Sequence, residues 1–73
     1  MKKLDVSIGA EALYEHLKQD SAEIDGWYIS LDDDGIWITN PYGQDCGLYE
    51  SSVADSQLIL DRIANDAHDQ EWN

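Results

Sequence analysis

The dipeptide Asp34-Gly35 separates two segments in which apolar and polar residues alternate, Trp27 to Asp32 and Ile36 to Asn40. Alternation with period two puts successive side chains on opposite faces of a strand, and Asp-Gly is a strong signal for a tight hairpin. A two-residue or four-residue loop then places Ile29, Leu31, Ile36 and Ile38 on one face, the core face. In Asn40-Pro41-Tyr42-Gly43, the proline stands where a type I turn accepts it and the glycine where a left-handed residue follows. Such a three-residue hairpin with a bulge sets Ile38 opposite Cys46 and Ile36 opposite Leu48, all facing inward. It predicts a third strand over about Gln44 to Tyr49.

Helical patterns flank these strands. Ile8, Leu13 and Leu17 approximate one apolar face of a helix from about Ile8 to Gln19, with Ser7 as its N-cap and Glu11 and Glu15 outward. Asp20 to Asp25 reads as a polar loop or a short extra turn. Ser52-Val53-Ala54-Asp55 fits the capping box, in which a hydroxyl and a carboxylate three residues later satisfy free backbone donors. A second helix is expected from Val53 to about His68, with an inner stripe of Val53, Leu60, Ile63, Ala64 and Ala67 and with Ile59 beside it. Trp72 falls in a tail that can fold back over the core. The fold class predicted is α+β, an α-β-β-β-α chain whose three-stranded antiparallel sheet carries both helices on one face.

Composition narrows the function. A chain of 73 residues makes one domain, here residues 1–73, and buries only about 60% of its unfolded surface. Its 42% hydrophobic residues exceed what a disordered acidic tail carries. Its formal net charge of −12 opposes folding through self-repulsion. That charge also excludes direct nucleic-acid binding, which draws its affinity from Lys and Arg displacing counterions, and it disfavours an anionic membrane. The excess is placed unevenly: residues 32–73 hold ten acids against Arg62 alone. Cys46 is the single cysteine, so neither an internal disulfide nor a cysteine-based zinc site forms. Lys2 and Lys3 precede Leu4-Asp5-Val6-Ser7, which is not a signal-peptide core, and no apolar run approaches the roughly 20 residues of a membrane helix. The expected location is the cytoplasm.

The outer face of the expected sheet collects Tyr28, Ser30, Asp32, Trp37, Thr39, Asp45 and Tyr49. Three large aromatics ringed by carboxylates suit a partner-binding surface, because aromatics are enriched at interface centres. Coverage by the first helix, or cross-strand pairing for sheet stability, is the plainer alternative. Asp32-Asp33-Asp34-Gly35 invites a calcium reading, but an EF-hand alignment puts Pro41 where a bidentate Glu is required. On the second helix Asp55, Asp66 and Asp69 fall within about 60° of one another at 100° per residue, an outward stripe with few cationic partners. His16 and His68 read as surface residues and Cys46 as inert packing. No Gly-rich phosphate loop, nucleophile elbow or zinc-helix motif is present, so a non-enzymatic protein without a cofactor is expected.

In size, acidity and α+β build the chain resembles the small inhibitors carried by phages and mobile elements, among them anti-CRISPR proteins and DNA mimics such as the uracil-DNA glycosylase inhibitor. The resemblance carries no motif and transfers no residue. It implies a stoichiometric inhibitor whose partner is a basic nucleic-acid-binding protein of bacterial defence or DNA processing, a CRISPR effector subunit being one example, in the cytoplasm of a bacterial host. The residues themselves assign the acidic surface to Asp32, Asp33, Asp34, Asp45, Glu50, Asp55, Asp66 and Asp69, and the aromatic anchors to Tyr28, Trp37 and Tyr49. Two other readings stay open: an adaptor or immunity-type protein that docks through the aromatic face, and a divalent-cation-binding module. So does the choice between a monomer and a weak homodimer, given exposed aromatics and a sheet edge.

Overall fold

The two alternating segments pair as their turn chemistry requires. A computed structural model describes residues 1–71 and the side chains of residues 1–66. Its elements are β1 (Lys2–Leu4), α1 (Ala10–Leu17), β2 (Ala22–Ile24), β3 (Trp27–Asp32), β4 (Gly35–Thr39), β5 (Asp45–Tyr49) and α2 (Val53–Glu71). Across β3 and β4, Ile29 faces Ile38 and Leu31 faces Ile36. Asp33 and Asp34 form the two-residue loop, closed by the Asp34 N–H donating to Asp32 Oδ1 at 2.8 Å. Gly35 opens β4 at φ +139°, where a Cβ would collide with the Tyr49 carbonyl oxygen.

The second turn also forms as its sequence dictates. The Gly43 N–H donates to the Asn40 carbonyl at 3.0 Å, and Asn40 Oδ1 accepts from the N–H groups of Tyr42 at 3.0 Å and Gln44 at 2.9 Å. Beyond it the register shifts between Ile38 and Thr39: Thr39 faces Asp45, but Ile38 faces Gly47. This bulge inserts one residue, and Gly47 takes a φ of +123° that other residues rarely adopt. The expected pairings of Ile38 with Cys46 and Ile36 with Leu48 are therefore off by one. Ile36 faces Tyr49 and Trp37 faces Leu48. A one-residue slip exchanges faces, so Leu48 turns outward and Tyr49 packs, half-buried, against the core.

The sheet is larger than the three antiparallel strands expected. It is five-stranded and mixed, in the order β1-β2-β3-β4-β5, with β1 parallel to β2 and every other pair antiparallel. The segment expected to be a loop contains β2, joined to β3 through Asp25 at φ +50° and Gly26 at φ +88°. Two left-handed central residues are what a hairpin of type I′ requires. A parallel pair needs a crossover, and α1 supplies it. The chain is thus α+β with two helices, as read from the sequence, on a wider sheet.

α1 is shorter than expected. Gly9 is its N-cap and makes no side-chain cap hydrogen bond, while the Ser7 N–H donates to Asp5 Oδ1 at 2.9 Å in the lead-in. At α2 half of the capping box forms: the Asp55 N–H donates to Ser52 Oγ at 3.1 Å, while the Asp55 carboxylate accepts from the Ser52 hydroxyl at 3.3 Å and from the Glu50 N–H at 2.8 Å rather than from the Ser52 N–H. Ser56, Ile59, Leu60 and Ile63 form the buried stripe, and Val53 and Ala64, expected within it, are exposed. Val53 stands in the first turn, beside the cap and beyond the sheet-facing row. The Ser56 hydroxyl satisfies its burial by donating to the Ser52 carbonyl at 3.0 Å. Ala67, His68 and Asp69 lie outside the described side chains, and Trp72 outside the described residues.

Both helices lie on one face of the sheet. A single core joins Leu13 and Leu17 of α1, Ile59, Leu60 and Ile63 of α2, and Ile24, Trp27, Ile29, Ile36 and Ile38 of the strands. Tyr14 ties α1 to the start of α2 through its hydroxyl, which lies 2.9 Å from Ser51 Oγ. His16 is half-buried, not a surface residue, and its Nε2 donates to the Ser21 carbonyl at 3.1 Å. Among the described residues no helix is long and apolar enough to cross a membrane.

Candidate functional site

With both helices on the core side, the opposite sheet face is left open. Strand alternation places Lys3, Glu23, Tyr28, Ser30, Asp32, Trp37, Thr39, Asp45 and Leu48 there. Register then fixes neighbours. Trp37 stands between Ser30 of β3 and Leu48 of β5, and Tyr28 between Glu23 of β2 and Thr39 of β4. Tyr28 is 49% exposed, Leu48 47%, and Trp37 half-buried. Tyr28 and Trp37 are diagonal neighbours, within the roughly 7–8 Å reach of large side chains across a strand pair. The result is an apolar patch on an otherwise polar face.

Asp32 borders this patch and is held rigidly. Its Oδ2 accepts from the Trp37 indole Nε1–H at 2.7 Å, and its Oδ1 accepts from the Asp34 N–H at 2.8 Å. Asp33 and Asp34 extend past it at the loop. Glu50 directly follows β5, whose last residue Tyr49 pairs with Ile36, so it lies at this same end of the sheet. Lys3 approaches the face from the far β1 edge, 3.7 Å from Glu23 Oε2.

The eight acids assigned from the sequence do not share one surface. Asp32, Asp33, Asp34 and Glu50 gather at the β3–β4 loop end. Asp55 is there too, but half-buried: it closes the α2 cap and its Oδ2 accepts the Glu50 N–H at 2.8 Å, so it serves structure rather than an outward stripe. Asp45, paired with Thr39, shares the open face but stands at the opposite end of β5. Asp66 lines a groove of about 410 Å³ at that end, together with Trp27, Pro41, Tyr42 and Arg62. Asp69 falls outside the described side chains. Of the three aromatics, Tyr28 and Trp37 stand on the open face, and Tyr49 does not. Leu48 is the face residue that sequence reasoning missed, and the glycine at 47 was the signal for the bulge that turned it outward.

The groove is built around Arg62. Its guanidinium lies 5.7 Å from the Trp27 ring centroid and donates through Nη1 to the Cys46 carbonyl at 2.8 Å and the Tyr49 hydroxyl at 3.1 Å. The Tyr49 hydroxyl also holds the Arg62 pKa above its ordinary value. These bonds latch α2 to β5. Cys46 is half-buried there, not opposite Ile38. Among the described residues no group of three or more His, Cys, Asp or Glu side chains is placed to hold a metal ion. Comparison with family models, curated proteins and solved structures gives no match.

Proposed function

We propose that the chain is a stoichiometric inhibitor that docks on the basic, nucleic-acid-binding surface of a bacterial defence or DNA-processing protein, as anti-CRISPR-like and DNA-mimic proteins do, and acts in the cytoplasm. The observation that carries the reading is the open sheet face, where Tyr28, Trp37 and Leu48 lie beside Asp32 and the Asp33-Asp34 loop on a chain of net charge −12. Apolar anchors supply affinity, whereas border charges mainly speed encounter and select a basic partner. The surface expected to engage is therefore Tyr28, Trp37, Leu48, Asp32, Asp33, Asp34 and Glu50. Asp45 and Asp66 contribute to the long-range field.

Capture from a bacterial lysate on the immobilised chain, with and without duplex DNA, tests this reading. Nucleic-acid-binding proteins that DNA displaces are the expected result. Capture that ignores DNA would instead favour an adaptor docking through shape at the aromatic face.

A further inference from the structure

The patch on the open face contains a feature that bulk acidity does not explain. Trp37 is an indole on an outward-facing strand position, and its Nε1–H is tied to a carboxylate that a second hydrogen bond prevents from rotating. Each Asp32 oxygen accepts one bond and keeps acceptor capacity, since an ionised carboxylate offers about four lone-pair sites. An indole ring attracts a cation placed over its face. Side by side, a fixed carboxylate and an indole match one side chain better than any other. A guanidinium is planar, stacks on aromatic rings and meets a carboxylate through two parallel N–H donors, whereas an ammonium is a compact, strongly hydrated point charge. Diagonal to Trp37, Tyr28 adds a second ring over which the aliphatic stem of such a side chain can lie.

We infer that Trp37 and Asp32 form a docking platform for an arginine side chain of a basic partner protein, with Tyr28 and Leu48 flanking it. The inference rests on the reading of the chain as a binder of basic surfaces and adds a preference that charge alone does not give. Because the Asp34 and Trp37 hydrogen bonds already fix the carboxylate, little ordering remains to be done on binding, and preorganisation of this kind strengthens association.

Hexa-arginine and hexa-lysine peptides at equal ionic strength separate the two ideas. Binding is followed by NMR titration, with the Trp37 indole N–H resonance assigned by Trp37→Phe. Hexa-arginine is expected to bind about fivefold or more tightly than hexa-lysine and to shift the Trp37 signal. Asp32→Asn, which keeps an acceptor for the loop, and Trp37→Leu are each expected to bring the two peptides to parity, hexa-arginine losing about fivefold more affinity than hexa-lysine. Equal affinities in the unaltered chain, or an arginine preference that survives both substitutions, would overturn the platform and leave docking by charge intact. Failure of both peptides to bind would overturn both readings.

Discussion

At Gly35 the backbone takes φ +139° and a Cβ would meet the Tyr49 carbonyl oxygen, so any side chain there pushes β4 from β5. Gly35→Ala is expected to cost about 2–4 kcal/mol, from backbone strain plus collision. Urea unfolding checks it through a lower midpoint at unchanged slope. Two carboxyls carry a pH signature. The Ser7 backbone N–H holds Asp5 below its ordinary value of 3.8, and the terminal ammonium of Met1, 3.3 Å away, does the same for Asp20 with help from the Ser21 N–H. A depressed folded-state pKa gives stability that is present above the ordinary value and lost as pH falls through the folded one. Asp20→Asn should therefore melt lower than Asp33→Asn at pH 7, and the gap should close below pH 3.8. Asp33→Asn is the control because it removes the same charge from a side chain without a hydrogen bond among the described residues.

Among the elements, α2 depends most visibly on its cap. The Asp55 carboxylate accepts from the Ser52 hydroxyl at the cap and from the Glu50 N–H, so Asp55→Ala is expected to cost about 1–2 kcal/mol, again read from denaturant unfolding. This cap, the β3–β4 hairpin and the Asn40–Gly43 turn were legible in the sequence because each is specified by residues a few positions apart. β1 and β2 were not. Each is three residues long, too short for alternation to register, and their parallel pairing depends on a crossover through α1 rather than on a local turn. The Asp25-Gly26 dipeptide did mark the β2–β3 turn, but the polar run around it read as loop. The open face was half legible. Alternation placed Tyr28 and Trp37 correctly, while the bulge at Gly47 sent Leu48 out and Tyr49 in, a shift that an alternating pattern alone does not encode.

For the whole molecule, charge and architecture divide the labour. Both helices cover one sheet face, and the other is open with its acids concentrated at the β3–β4 loop. A net charge of −12 makes the compact state repel itself, so raising NaCl from about 20 to about 200 mM is expected to raise the melting temperature by screening, with no specific effect of calcium or magnesium beyond equal ionic strength. The same screening should weaken docking. The account is tested most directly by the dissociation constant of the chain for a DNA-displaceable partner captured from lysate, measured across that salt range with the unaltered chain and with Asp32, Asp33 and Asp34 all changed to Asn. Weakening of about tenfold or more in the unaltered chain, and a shallower slope in the variant, is the predicted result. Affinity indifferent to salt and to the three substitutions would contradict it.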